Sequence, residues 1–286
     1  RTNCYVDDLL NYGKRFMVFF DSCPNAFGGL ARLWLENLRL GESGFPKIFS
    51  ICKQLEFLRL WRCDTGDLSL LEVEHLQLRE LVILDSSLER VDLKWVPKLT
   101  VLKFNMFRSQ DDPFCLGYVP LLQTVTIINI GFSWHKMLKL SELLGKTAIS
   151  NLHLNFRCEK VSEGPHVISV RKFCCPCRGW RLLSLFLVNI ILHYPPLLQI
   201  WVKQEVRKHL LPVFRKLSFV NLFNISEECD LNWTMFILQR APTLKELCIT
   251  VNKLLYRFFI SHFLFQHMLN MQIEFSFSKF KLSMTS

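Results

Sequence analysis

The stretch Leu55-Glu56-Phe57-Leu58-Arg59-Leu60-Trp61-Arg62-Cys63 places apolar residues at its first, fourth, sixth and ninth positions. The two-residue step from Leu58 to Leu60 is that of a strand, whose side chains alternate between two faces. The frame returns at Leu30/Leu33/Leu35, Leu78/Leu81/Ile83, Leu99/Leu102/Phe104 and Leu122/Val125/Ile127. It returns again at Ile149/Leu152/Leu154, Phe214/Leu217/Phe219 and Leu244/Leu247/Ile249. First positions are separated by 25, 23, 21, 23, 27, 65 and 30 residues. A unit of that length cannot bury its own apolar face. Successive units therefore have to stack and share one continuous core.

An L-x-x-L-x-L-x-x-C frame with a period of roughly 20–29 residues is the strand-and-turn signature of a leucine-rich repeat. The predicted fold is α/β: an irregular leucine-rich-repeat solenoid, a horseshoe with one parallel sheet, interrupted by a non-repeat insertion. The residues expected to be buried together on that sheet are Leu33, Leu58, Leu60, Leu81, Ile83, Leu102, Phe104, Val125, Ile127, Leu152, Leu154, Leu217, Phe219, Leu247 and Ile249. Residues 45–54, with Pro46 near the start, read as a helical return between strands. Residues 135–145, closed by Gly145, read as another. The remaining returns are short or polar.

The 65-residue gap divides the chain. Removing residues 161–199 shortens it to 26, the period of the rest. The 39 residues differ in character, with a Cys174-Cys175-Pro176-Cys177 cluster followed by the apolar run Leu182–Leu192. Residues 252–286 hold seven phenylalanines and no repeat frame. The expected organisation is repeats over 1–160, a non-repeat insertion over 161–199, final repeats over 200–251 and an aberrant hydrophobic basic tail over 252–286. In-frame translation of noncoding sequence, a retained intron at 161–199, accounts for both irregular segments.

The formal net charge of +10 raises nucleic acid as a partner, but its distribution argues against one. Residues 161–199 carry four basic groups and one acidic, net +3, and residues 252–286 carry another +3. That leaves +4 on the repeats, an ordinary solvated surface. The eleven cysteines are scattered, several at apolar repeat positions such as Cys52, Cys63 and Cys248. This suits reduced, buried thiols and a cytoplasmic or nuclear location. The run Leu182–Leu192 falls well short of the ~20 residues that span a bilayer. Cys174, Cys175, Cys177 and His193 lack the paired spacing of a zinc site.

The segments Leu68–His75, Leu78–Leu84 and Leu88–Trp95 look like the repeat region of plant F-box/leucine-rich-repeat proteins. The stretch Cys229–Val251 resembles the start of that family's FBD-type C-terminal region, where a short helix leads through Ala-Pro-x-Leu-Lys-Glu-Leu into a strand. The resemblance covers roughly residues 15–160 and 200–251. It implies a substrate-recognition subunit of an SCF-type ubiquitin ligase, with the protein substrate held on the concave face. It implies a Skp1-like adaptor only where an F-box precedes the repeats. The chain departs from the family in lacking a recognisable F-box ahead of the repeats, in residues 161–199, and in family-like sequence that ends at Val251. The alternatives are a stand-alone repeat interaction module without a ligase role, and a nonfunctional gene-model product.

No catalytic motif is present. There is no G-x-x-x-x-G-K-[ST], H-E-x-x-H or G-x-S-x-G, and Asp7-Asp8 and Asp111-Asp112 read as turn or cap residues. The expectation is a non-enzymatic protein-binding scaffold without cofactor or metal. Binding chemistry then falls on outward-facing strand positions. The candidates are Arg32, Trp34, Phe57, Arg59, Trp61, Lys103, Asn105 and His153. Large aromatics beside arginines are what protein-contact hot spots favour.

Overall fold

The computed structural model describes residues 6–66, 69–105, 112–128, 138–145, 147–156, 205, 207–226, 241–252 and 279–285. Its main feature is a parallel sheet of nine strands. In sheet order these are β1 (Arg32–Arg39), β2 (Phe57–Asp64), β4 (Glu80–Leu84), β6 (Val101–Asn105), β8 (Thr124–Ile128), β9 (Asn151–Asn155), β10 (Phe219–Ser226), β11 (Glu246–Asn252) and β12 (Lys279–Thr285). Parallel neighbours need a return segment that brings the chain back to the same end of the sheet. The long repeat period supplies it, so the molecule is a parallel-sheet solenoid.

The register stacks the repeat frame row upon row. Leu33, Leu58, Leu81, Leu102, Val125, Leu152, Val220 and Leu247 form one transverse row. Leu35, Leu60, Ile83, Phe104, Ile127, Leu154, Leu222 and Ile249 form the next. Every one of these side chains is buried. Rows of branched and aromatic residues thus pack along the solenoid axis, which is how a unit too small for its own core acquires one.

The frame expected at β10 is corrected by this register. Phe214/Leu217/Phe219 had fitted the apolar pattern, but the sheet uses Leu217/Val220/Leu222. Phe219 is half-exposed on the solvent face, and Val220, which the Phe214/Leu217/Phe219 frame would turn outward, is fully buried. A phenylalanine satisfies an apolar pattern from either face. The pairing of Val220 with Leu152 and of Leu222 with Leu154 decides the matter.

β9 and β10 pair directly from Asn151 with Phe219 to Asn155 with Phe223. No strand stands between them in the sheet. The insertion expected at 161–199 lies outside the described residues, as does most of the tail. The expectation of a tail without the repeat is not met at its end. β12 pairs with β11 in unbroken register, with Phe280 opposite Leu247 and Leu282 opposite Ile249. The frame Phe277/Phe280/Leu282 was concealed by the phenylalanines around it.

A second difference concerns the returns. The expected single sheet is accompanied by another parallel sheet of three strands, β3 (Ser69–Glu74), β5 (Leu88–Trp95) and β7 (Phe114–Tyr118). Each return carries its own two-residue alternation. Leu71, Val91 and Phe114 align, as do Val73, Leu93 and Leu116. All but Leu116 are buried in the shared core, and Leu116 packs at its margin. Gly117 is required here, because a Cβ would sit 2.6 Å from the Lys94 carbonyl oxygen of the adjacent strand.

Among the described residues, helices stand in other returns and in the first turn. α3 (Gly44–Ile51) overlaps the return read as helical at 45–54, α4 (Leu140–Leu144) lies in that at 135–145, and Gly145 ends α4 with φ +56°. α4 receives Glu205, whose carboxylate accepts from the Ser141 amide and hydroxyl. α5 (Arg207–Phe214) then leads into β10. At the other end, α1 (Val6–Ser22) packs on β1 and α2 (Pro24–Gly28) follows it. Phe20 is fully buried against Phe27, with ring centroids 4.4 Å apart. Gly13 lets α1 approach closely: an added Cβ would meet the Arg39 carbonyl oxygen at 1.9 Å. The first strand's core face is therefore covered rather than left to water.

Asn37, Arg62, Asp85 and Asn224 have φ between 51° and 60°. The register brings all four to one transverse row, one residue beyond Glu36, Trp61, Leu84 and Phe223. In these four turns a left-handed residue breaks the strand's alternation and redirects the chain at this level. Asn and Asp enter that conformation at lower cost than other side chains, and Arg62 does so without that advantage.

Candidate functional site

The solvent face of the nine-stranded sheet begins with a cluster of aromatic rings and guanidinium groups. Alternation along β1 and β2 places Leu33, Leu35, Leu58 and Leu60 in the core and sends Arg32, Trp34, Phe57, Arg59 and Trp61 to the other side. Parallel pairing then sets Arg32 beside Phe57, Trp34 beside Arg59, and Glu36 beside Trp61. The Arg59 guanidinium carbon lies 4.1 Å from the centre of the Trp34 ring and 5.9 Å from that of Trp61. Arg32 approaches Phe57 at 5.8 Å, and Arg62 approaches Trp61 at 5.7 Å. Five of the eight sequence-predicted residues thus meet on two strands. Trp34 is 56% exposed, so it faces solvent rather than packing beneath α1.

Arg59 is only half-exposed, and its Nε is fully buried with no hydrogen-bond acceptor among the described residues. An exposed cation–π contact contributes about 0.5–1 kcal/mol. Leaving a buried donor unpaired costs about 1–3 kcal/mol. The stacking over Trp34 therefore does not offset the missing acceptor; Asn105 Oδ1 is the other buried polar atom left without a partner among the described residues.

Trp61 is held from the opposite side. Its Nε1 donates to Asp85 Oδ2 at 3.1 Å, and Asn105 Nδ2 donates to Asp85 Oδ1 at 3.0 Å. Asp85 was not among the candidates expected from sequence. It lies past the end of β4 and reaches the face only through its left-handed backbone. The same contact corrects the expectation for Asn105, which is buried and braces Asp85 instead of facing a partner.

Lys103 and His153 share the row of Trp34 and Arg59, on strands further along the sheet. Both are half-exposed. His153 packs on Phe219, ring centroids 5.1 Å apart, and burial followed by the Lys103 charge lowers its pKa below the ordinary 6.5. Neutral at physiological pH, it extends the apolar surface more than the positive one. Phe219 belongs to this surface too, hidden from sequence reasoning by its misassigned frame.

The cluster contains no nucleophile paired with a base. Among the described residues, no three His, Cys, Asp or Glu side chains converge as a metal site, and no helix is long and apolar enough to cross a membrane. Cys52 and Cys63 are buried, and burial raises both thiols, Cys63 to about 11. They are packing groups at repeat positions rather than reactive thiolates. What the arrangement offers is contact chemistry: planar rings, guanidinium donors and a fixed Asp85–Trp61 hydrogen bond. No family model, no curated protein and no solved structure matches this chain.

Proposed function

We propose that the solvent face of the nine-stranded sheet is a protein-docking surface, and that the chain acts as a non-catalytic recognition scaffold. The observation that carries this reading is the Trp34–Arg59–Trp61 cluster, with a large exposed tryptophan stacked on a partly buried arginine at one end of a rigid sheet. Tryptophan and arginine dominate binding energy where they sit together, and strands hold them with little ordering cost on association.

The strand frame and its period support reading each turn as a leucine-rich repeat and the stack as an irregular horseshoe. The resemblance of residues 229–251 to an FBD-type region supports a place in an SCF-type ubiquitin ligase, with this face holding the substrate. Neither nucleic acid nor a cofactor is part of the reading. The test is two-sided. A full-length gene product carrying an upstream F-box should co-purify with a Skp1-like adaptor, while residues 1–286 alone should not. In that product Trp34→Ala should release bound substrate protein without moving Tm. Unchanged substrate retention by Trp34→Ala and Arg59→Ala would remove this face from the function.

A further inference from the structure

We propose that Arg59 is the anchor for a carboxylate presented by an extended, acidic-and-aliphatic segment of the docking partner. The inference rests on the protein-docking reading above and adds the partner's chemistry.

Three observations converge on it. The Arg59 Nε is a buried donor with no acceptor among the described residues. A guanidinium is built to take a carboxylate through two parallel N–H bonds, so the group that completes Arg59 best is a planar anion. The surrounding charge fits. Arg32 and Arg62 lie within 6 Å of the Phe57 and Trp61 rings that border Arg59, and Lys103 shares its row two strands on. Of the nearby acids, Asp85 is already engaged by Trp61 and Asn105, while Glu36 and Glu80 face the flanking rows. None of these carboxylates pairs with Arg32, Arg59 or Arg62 among the described residues.

The apolar part of the partner is set by the rings. Trp34 is more than half exposed, and it is the group that would shift to admit an oxygen to the Arg59 edge. Once displaced, its face and that of Trp61 would flank the carboxylate and suit aliphatic side chains. In an extended segment side chains two positions apart share a face, so a carboxylate on Arg59 would bring aliphatic groups two residues to either side onto the rings.

The experiment uses the full chain and two synthetic peptides, one with a Glu flanked by Leu two residues to each side and Ser between, the other with Gln in place of the Glu. Affinity is read from peptide fluorescence anisotropy, with the indole Nε1–H NMR signals of Trp34 and Trp61 as site reporters. The expected result is a Glu peptide bound at least tenfold tighter than the Gln peptide, with both indole signals shifting. Arg59→Gln should abolish the difference, and Arg59→Lys should keep only part of it, because a point charge lacks the planar fork. Lys94→Gln, which removes a charge on the three-stranded sheet, should leave both affinities within about twofold of the parent. Equal binding of the two peptides, lost in Trp34→Ala, would overturn the carboxylate anchor while leaving the docking face intact. Retention of the Glu preference in Arg59→Gln would overturn it as well. So would the absence of binding by either peptide up to ~1 mM, a limit near 4 kcal/mol of affinity.

Discussion

The Nε2 of His75 lies 2.9 Å from the carbonyl oxygen of Cys52, and its Nδ1 accepts from the amides of Leu78 and Gln77. The acceptor role of Nδ1 leaves the proton on Nε2, so the ring is neutral and links the return before β2 to the turn before β4. Burial lowers its pKa below the ordinary 6.5, and the Cys52 carbonyl offsets this only in part. His153 is shifted in the same direction, also by burial first. The unfolded chain therefore takes up protons near pH 6.5, where the fold does not. Stability is fully present above 6.5 and is lost as pH falls from 6.5 toward the folded values. The slope reaches about 1.4 kcal/mol per pH unit for each imidazole. Urea unfolding should show a lower midpoint at about pH 5.5 than at about pH 7.5, and the drop should shrink in His75→Gln. A flat profile would mean that both rings take up protons in the fold as they do in the unfolded chain.

The corrected frame at β10 makes a direct contrast between neighbours. Leu222 stacks between Leu154 and Ile249 and is buried, whereas Phe219 lies on the solvent face beside His153. Leu222→Ala should cost about 2–5 kcal/mol, as truncation in a packed core does. Phe219→Ala removes the larger side chain but should cost about 1 kcal/mol or less, in the range of partly exposed positions. Denaturant unfolding of the two variants checks this, and the reverse order would restore the frame Phe214/Leu217/Phe219.

The left-handed row separates side chains by backbone cost alone. Asn37 and Arg62 occupy equivalent places in β1 and β2, with φ 55° and 52°. Asn37→Ala should destabilise by about 1 kcal/mol, and Arg62→Asn should stabilise by a similar or smaller amount. The loss of Arg62 from the Trp61 ring works against the gain, but at 5.7 Å and near the surface it is the weaker effect. Thermal unfolding should place Arg62→Asn above the parent and Asn37→Ala below it.

The repeat strands were legible because a two-residue alternation repeated at a fixed period has few other meanings. Leu58 with Leu60, and Leu102 with Phe104, could be assigned to the core from sequence alone. The outward set followed from the same alternation, which is why Trp34, Arg59 and Trp61 were found. The second sheet was missed because pairs such as Leu71 with Val73 and Val91 with Leu93 are too short to stand out in a chain that is 50% hydrophobic. Asp85 and Asn105 were missed or misplaced because a left-handed residue rotates the chain out of the alternation that sequence reasoning follows. β12 was overlooked because Phe277, Phe280 and Leu282 stand among five other phenylalanines, where no periodicity can be separated from composition.

The pairing of β9 with β10 bears on the chain between them. Register runs without interruption from Asn151–Phe219 to Asn155–Phe223, so the two turns are joined as closely as any others in the stack. Deleting residues 161–199 closes Lys160 onto Ile200 and leaves α5, Glu205 and both strands in place. Loop closure becomes easier on shortening, by roughly 0.6 kcal/mol for each halving of length. The deletion also removes the apolar run Leu182–Leu192 and three of the eleven cysteines. The deleted protein should express in higher soluble yield and melt at the same or a higher temperature, with the β9–β10 amide contacts retained by NMR. Loss of folding on deletion would show that residues 161–199 hold the two turns together, and the reading of them as an insertion into a repeat stack would have to be given up.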